Sequence, residues 1–447
     1  MAPSANTVCN FYLIMSIPLD HLYSYIEQMA EHIRGDVVDL YRFYPHGSKD
    51  IEDLSAMKVL SGYQRCTCPM IFCNDQEPLN FEMYKDVEPS YMPDWKKRLV
   101  KKYNIEKHNF QWQRSNIYDK SILIHSEQRS SNLEKYQSNQ FIPVYYWSHA
   151  IISLDWFRYA QHVQRQQSPQ IKKKFLIYNR AWSGTREYRL KFAEFLVRSQ
   201  LIDQCQTSMN PIDPNLAVHY QQHKFINAQW CPDQNIDEYF QVNTVPSHYS
   251  ANFDMVDYDS TDIEIVLETL FDDERLQLTE KSLRPIACGQ PFLLSGPHGS
   301  LEYLRKYGFK TFADVWDESY DLIQDSYQRL LTIADVMKSI DSWDTETRFE
   351  KMSRAKAIAE HNRQHFFSQG FFDVIVGELR DNLKSGLEEL ERTNTSKIWL
   401  ERRKKMWQIA EFQENWYNYQ DSYWPDRSRQ DIQKLVARAR FYYNRGC

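Results

Sequence analysis

The sequence predicts an α/β protein with two parallel sheets in separate domains and a helical C-terminal part. Three observations predict it. Apolar runs of strand length recur between segments with helical spacing. Polar residues gather just after several of these runs, where open α/β sheets place their ligands. The 447 residues are 42% hydrophobic and 26% charged, an ordinary globular composition at a length suited to two or three domains.

Taken in order, residues 11–16 are a first apolar strand, and residues 20–34 a helix with Leu22, Ile26, Met29 and Ile33 at helical spacing. Residues 37–41, 70–73, 121–124 and 144–147 are further strands. The second of these runs into Asn74-Asp75-Gln76-Glu77-Pro78, and the third ends in His125-Ser126-Glu127. Residues 164–170 are polar and contain proline, which predicts a linker and a first domain over 1–165. A second domain over 171–325 starts with a strand at 175–178, a turn at 179–186 and a helix at 188–199. Strands at 263–268 and 291–295 flank a helix at 280–288, for which Thr279 is the N-cap. A short helix at 300–307 is ended by Gly308. Residues 326–447 form a helical extension with Phe371, Val374, Ile375 and Leu379 in periodic positions.

The charge balance is 54 Lys+Arg against 60 Asp+Glu, a net −6, which argues against a binder that offers nucleic acid its whole surface. The stretch 397–447 differs locally, with 11 basic and 6 acidic residues and 11 aromatics. It reads either as an aromatic face packed on a core or as a local nucleic-acid contact. Eight scattered cysteines are too few for a disulfide framework, and Cys66-Thr-Cys68 lacks zinc spacing. With no apolar run near the ~20 residues of a membrane span and no signal-peptide pattern, the expected location is the cytoplasm. Twelve glycines and no G-x-G-x-x-G exclude the usual dinucleotide fingerprint.

The segment from Thr279 carries the most chemistry. A capped helix start offers N–H groups and partial positive charge to a diphosphate, with Glu280, Lys281 and Arg284 on its first turns. A cation there neutralises a leaving diphosphate, and a carboxylate accepts from sugar hydroxyls. A surface helix bearing an ion pair has the same letters. Arg180, Arg186 and Arg189 on one strand–helix turn could fork onto phosphates or simply be solvated. Asp75 and Glu77 are candidates for a general base, with an Asx-type turn as the structural alternative. His125 with Glu127, and His149 with Asp155, are further acceptor-side candidates. Asp257-Tyr-Asp259 matches the letters of a metal-binding Asp-x-Asp, but Asp254, Ser260 and Thr261 around it read as a turn.

The Thr279-Glu280-Lys281 start, followed by a helix and the strand opened by Gly289 and Pro291, resembles the donor-site segment of two-domain (GT-B-like) glycosyltransferases of the fucosyltransferase and exostosin kind. The stretches from Tyr178 to Arg189, from Gly299-Ser300 to Asp321, and Asp75 to Pro78 look like phage-encoded proteins of this type. The likeness covers residues 70–325. It implies two Rossmann-like domains facing a cleft, the first on the acceptor side and the second holding a UDP- or GDP-sugar. It implies a donor site from Tyr178, Asn179, Arg180, Ser183, Gly184, Thr185, Arg186, Arg189, Thr279, Glu280, Lys281, Arg284, Gly299 and Ser300, without a metal. It further implies, by analogy with phage DNA glucosyltransferases, transfer to a 5-hydroxymethylpyrimidine in double-stranded DNA inside an infected cell. The alternatives are a glycan or virion-protein acceptor, and a non-enzymatic module that binds nucleotides or a virion component.

Overall fold

A computed structural model of the chain describes residues 16–35, 38–42, 69–79, 120–162, 170–240 and 251–393. Two sheets, each of four parallel strands, organise these residues. The chain divides into two compact units. One comprises Met1–Leu19, His149–Asp273 and Leu278–Val374; the other comprises Asp20–Ser148, Glu274–Gln277 and Ile375–Cys447. The units interleave along the chain, so their limits differ from boundaries near 165 and 325. The expected strand at 11–15, the linker at 164–169, Cys66 and Cys68, and the basic aromatic stretch 397–447 lie outside the described residues.

The first sheet has the order β1 (Asp39–Arg42), β2 (Met70–Asn74), β3 (Ser121–His125), β4 (Phe141–Tyr145). β2 and β3 are buried throughout, which is why their residues read as continuous apolar runs rather than alternating ones. Met70, Phe72, Leu79, Leu123, Tyr136 and Phe141 form one core cluster of this sheet, with Phe141 edge-on to both Phe72 and Tyr136. Helix α1 (Leu19–Arg34) buries Leu22, Ile26 and Ala30 completely, while Met29 and Ile33 are half-buried. Helix α2 (Asn132–Ser138) contributes Tyr136.

The second sheet has the order β6 (Cys205–Thr207), β5 (Lys173–Ile177), β7 (Thr261–Leu267), β8 (Phe292–Ser295). β6 is three residues long and ends in a polar Gln206-Thr207, too short to register as an apolar run. The chain leaves β5 toward β6 and returns on the other side as β7. The loops after β5 and β7 therefore diverge, which is the switch point where such sheets bind ligands. Helices α3 (Ser148–Trp156), α4 (Tyr188–Arg198), α5 (Met255–Asp259), α6 (Glu280–Cys288) and α7 (Ser300–Lys306) accompany this sheet, all but Ser148 within its unit. In α4, Leu190, Phe192, Phe195 and Leu196 are buried. The turn expected at 254–261 is helical instead. Asp254 caps α5 by accepting the Val256 N–H at 2.9 Å.

Three long helices follow: α8 (Ser326–Asp341), α9 (Thr345–Phe366) and α10 (Gln369–Thr393). They are structural members of the two units rather than an appendage. Asn362 in α9 clamps the Lys310 backbone with both ends of its amide, each bond 2.8 Å. From Ile375 onward α10 belongs to the first sheet's unit, where Leu379, Leu383, Leu387 and Leu390 recur at helical spacing and are buried. Its polar edge adds Asn382, which donates to the Tyr145 carbonyl at 2.8 Å, and Glu378, which accepts the Trp147 N–H at 3.1 Å. Phe371, Ile375 and Leu379 are buried as their spacing requires, but Val374 is 52% exposed.

Helix α10 approaches the first sheet so closely that Gly386 leaves no room for a methyl: a Cβ there would lie 2.6 Å from Val144 Cγ2. Gly377, on the same helix, has nothing closer than 3.9 Å. Replacing an interior helical glycine by alanine ordinarily stabilises by about 1 kcal/mol. Gly377→Ala should therefore raise the urea midpoint. Gly386→Ala should lower it, at a cost of about 1–3 kcal/mol from overpacking. Equal shifts of one sign would contradict the packing of α10 on β4.

Candidate functional site

The site is built at the carboxyl ends of β5 and β7. Arg189 on α4 is 2% exposed and joins the two strand ends. Its Nη1 donates to Asn179 Oδ1 at 3.0 Å and the Ala181 carbonyl at 2.6 Å, after β5. Its Nη2 donates to the Leu267 and Glu268 carbonyls at 2.5 and 2.9 Å, at the end of β7. A planar guanidinium can reach both loops at once because its donors form a fixed fork. The neighbouring Tyr188 hydroxyl donates to the Glu268 carbonyl at 2.8 Å, and its ring stacks on Phe271.

Glu268 then fixes helix α6. It is fully buried, and its carboxylate accepts the Thr279 N–H at 3.0 Å, the Thr279 hydroxyl at 2.7 Å, the Ser282 hydroxyl at 2.5 Å and the Thr269 N–H at 3.1 Å. Since the Thr279 hydroxyl proton goes to Glu268, its oxygen is left to accept from the Lys281 N–H at 3.4 Å and from Lys281 Nζ at 3.2 Å. This is the N-cap that the sequence predicts, with a buried carboxylate behind it. Gly289 closes α6 with φ of +64°.

At the first turn of α6, Glu280 is 4% exposed. One carboxylate oxygen is 2.7 Å from Lys281 Nζ, and the other is 3.3 Å from Nδ1 of His149, in the first turn of α3. Burial pushes the Glu280 carboxyl up, but the Lys281 charge and His149 outweigh it and hold the group well below the usual range. Lys281 is half-buried at the mouth of this turn. A carboxylate kept ionised beside a cation at a helix N-terminus can accept from hydroxyls while the cation and amides face an anion.

The expected donor residues divide sharply in their surroundings. Arg284 turns inward: it is 3% exposed, pairs with the fully buried Glu264 at 2.5 Å, and lies 4.5 Å above the Tyr178 ring. Burial disfavours its charge, but Glu264 more than compensates and its pKa rises. Tyr178 in turn donates to Asp257 at 2.7 Å. Arg189 and Arg284 therefore direct their guanidinium ends into the protein interior. Arg180, Gly184 and Thr185 are exposed, and Arg186 is half-buried. The backbone there is held by Asp213, which accepts the Trp182 and Ser183 N–H groups at 2.8 and 2.9 Å. Burial opposes ionisation of Asp213, yet these N–H bonds and that of Asn215 lower its pKa. Glu187 pins the loop beyond, accepting from Ile226 and Asn227 N–H groups and lying 2.7 Å from His223. Gly299 opens α7 with φ of +79°, and the buried Ser300 hydroxyl donates to the Pro297 carbonyl at 2.5 Å.

The acceptor-side candidates are not one cluster. Asp155 accepts the Leu19 N–H at 3.2 Å and pairs with Arg158 at 2.9 Å. His149 joins Glu280 rather than Asp155. Asp75, His125 and Glu127 lie in the first sheet's unit, where Asn74 and His125 are register partners at the strand ends. Asp75 is buried and accepts from the Tyr23 hydroxyl at 2.9 Å and from the Tyr146 hydroxyl. Burial, reinforced by Asp75, raises the Tyr146 phenol well above its ordinary pKa. Glu77 is half-buried. Glu127 accepts the Leu79 N–H at 2.6 Å and pairs with Arg275 at 3.3 Å.

Sequence reading missed Glu268, Glu264, Asp213 and Glu187. Glu268 had a usable signal, an acid ending a seven-residue buried strand; the other three touch partners far away in sequence. Asp257 accepts from Tyr178 and Gln206, and no group of three or more His, Cys, Asp or Glu that could hold a metal occurs among the described residues. Among those residues no helix is long and apolar enough to cross a membrane.

Two outcomes test this geometry. Glu268→Ala should cost about 3–5 kcal/mol in urea unfolding, because it strands buried donors from Thr279, Ser282 and Thr269; a loss below 1 kcal/mol would contradict the hub. The second concerns His125, whose burial brings its pKa down from 6.5 to about 4. The fold thus prefers the neutral ring, and the unfolded chain takes up the proton first. Stability from this group is complete above about pH 6.5 and falls by on the order of 3 kcal/mol as pH drops toward 4. His125→Gln should flatten that part of the stability–pH curve. The chain matches no family model, no curated protein and no solved structure.

Proposed function

We propose that this protein is a glycosyltransferase that uses a UDP- or GDP-linked sugar, with the hydroxymethyl group of a 5-hydroxymethylpyrimidine in phage DNA as acceptor. One observation carries the donor half. The capped N-terminus of α6, with Glu280 held ionised next to Lys281, stands after β7, beside the switch point between β5 and β7. In this reading Glu280 accepts from donor hydroxyls, and Lys281 with the helix start takes the charge of the departing diphosphate. Arg180 and Arg186, the two outward arginines of the turn after β5, supply further phosphate contacts. No metal is needed where cations and a helix end carry that charge.

The acceptor half rests on the resemblance of residues 70–325 to phage-encoded enzymes. The base would be flipped out of the duplex to present its hydroxymethyl group. Asp75 and Glu77 are the proposed acceptor-activating carboxylates. Asp75 receives two tyrosine hydroxyls and Glu77 is half-buried, and one of the two would serve as the general base.

The test is a donor screen. The protein is incubated with UDP- and GDP-sugars and hydroxymethylcytosine DNA, and the nucleosides are weighed by mass spectrometry. A gain of one pentose or hexose is expected, lost in Glu280→Ala and Arg186→Ala while their folded signals persist. Thermal stabilisation by one nucleotide sugar without a gain would keep the donor and move the acceptor to a glycan or virion protein. Neither gain nor stabilisation would leave a non-enzymatic binding module.

A further inference from the structure

We propose that Asn74 and His125, side by side at the carboxyl ends of β2 and β3, form a hydroxyl-binding pair, in which the Asn74 amide oxygen accepts from a ligand hydroxyl and His125 Nε2–H donates to it. The ligand class is an uncharged alcohol, carried by a sugar or by a hydroxymethyl group. The pair belongs to the first sheet's unit alone and does not depend on the donor reading above.

The two residues are register partners on parallel strands, so their side chains stand on one face of the sheet, on backbones about 4.8 Å apart. Asn74 is 4% exposed and His125 2%. The Asn74 amide nitrogen donates to the Tyr136 hydroxyl at 3.5 Å, which leaves Oδ1 on the other side of the amide. That oxygen is buried and has no hydrogen-bond partner among the described residues. A buried acceptor left unpaired is costly, so its place in the fold calls for a donor. His125 supplies the other half. Its Nδ1 accepts the Glu127 N–H at 3.3 Å, and burial keeps the ring neutral, so the ring proton sits on Nε2. Tyr145, the register partner of His125 on β4, packs its ring edge against the imidazole at 5.8 Å between centroids. Among the described residues nothing accepts from Nε2.

The complement of this pair must donate to one side chain and accept from its neighbour. A carboxylate or phosphate has no proton for the Asn74 oxygen, and an ammonium has no lone pair for His125. A hydroxyl does both with one atom. An oxygen about 2.8 Å from each of two groups spans up to about 5.6 Å, enough to bridge side chains on adjacent strands. The pair holds a hydroxyl without activating it, because neither an amide oxygen nor an N–H takes its proton. It is thus distinct from the carboxylate of Asp75, the next residue, which meets the hydroxyls of Tyr23 and Tyr146.

Nitrogen-15 NMR of the full chain, labelled at histidine, tests this with methyl glucoside, methyl mannoside, 5-hydroxymethyl-2′-deoxycytidine and its 5-methyl counterpart as probes. Wild type should show a neutral His125 ring with the proton on Nε2. At least one hydroxyl probe should shift the Nε2 signal in a saturable way. Asn74→Leu should weaken that binding about tenfold, the scale of one hydrogen bond, and Asn74→Ala serves if Asn74→Leu does not fold. A response to the glycosides makes the source a sugar hydroxyl. A response to the hydroxymethyl nucleoside and not to the methyl one makes it the hydroxymethyl group. A proton on Nδ1 would overturn the inference, as would unchanged binding by the Asn74 variant. Silence of Nε2 toward every probe would leave an ordered water as the only occupant and overturn it too.

Discussion

The arrangement at the second sheet depends on one guanidinium. Parallel strands end in carbonyls that have no partner beyond the sheet, and β5 and β7 end side by side where their loops part. Arg189 answers both needs. It saturates the Leu267 and Glu268 carbonyls on one side and Asn179 and Ala181 on the other, within a buried environment where each such bond is strong and a missing one is costly. Arg329 repeats the device one strand over. Its donors go to the carbonyls of Gly296, Ile323, Gln324 and Phe271, and burial brings its pKa down to about 10. Charged side chains without a carboxylate partner serve here as multivalent donors to backbone. That use fixes loops whose own hydrogen bonds would otherwise go to water.

From that fixed point the order of consequences runs outward. With the end of β7 held, the Glu268 side chain meets the start of α6 and takes four donors from Thr269, Thr279 and Ser282. The helix is thus registered by its cap and not only by its apolar face. Glu264, four residues earlier on β7, takes Arg284 from the following turn of α6, and Tyr258 donates to the same carboxylate at 2.6 Å. One acid on β7 and one just after it therefore hold one helix at two heights. The rotation of α6 about its axis is set, and with it the placement of the buried Glu280 and the half-buried Lys281.

The fold was largely legible because its strands are buried on both faces, and burial on both faces writes itself as uninterrupted apolar letters. β6 was not, since three residues carry no period. The cap at Thr279 and the stop at Gly289 were legible for local reasons: a hydroxyl before a helix and a glycine that can take positive φ. The roles of the arginines were not. Arg186 and Arg189 look alike in sequence, three positions apart on one turn. What separates them is whether buried carbonyls from β7 lie within reach, a tertiary fact with no local signature. His149 shows the same limit. Its sequence neighbours suggest Asp155 as partner, yet Asp155 is engaged by the Leu19 N–H and Arg158. The helical segments after 326 were legible as helices, but not as parts of the two units, because a periodic apolar face does not name the surface that covers it.

The division of cations also limits what this edge of the sheet can bind. Of the five cations that sequence motifs collect here, Arg189 and Arg284 are consumed by the architecture. Arg180 is exposed, Lys281 and Arg186 are half-buried, and Glu280 offsets Lys281. The net positive charge left is small, and an anion of high charge gains little from it over water unless the helix N-terminus adds its amides. A ligand that also offers hydroxyls to Glu280 satisfies both halves of the same turn. Diphosphate alone leaves the carboxylate as a like charge close by, whereas a sugar or ribose hydroxyl turns that carboxylate from a repulsive neighbour into an acceptor. Under the proposed donor reading, the turn would favour a molecule that carries phosphate and polyol together over either one alone.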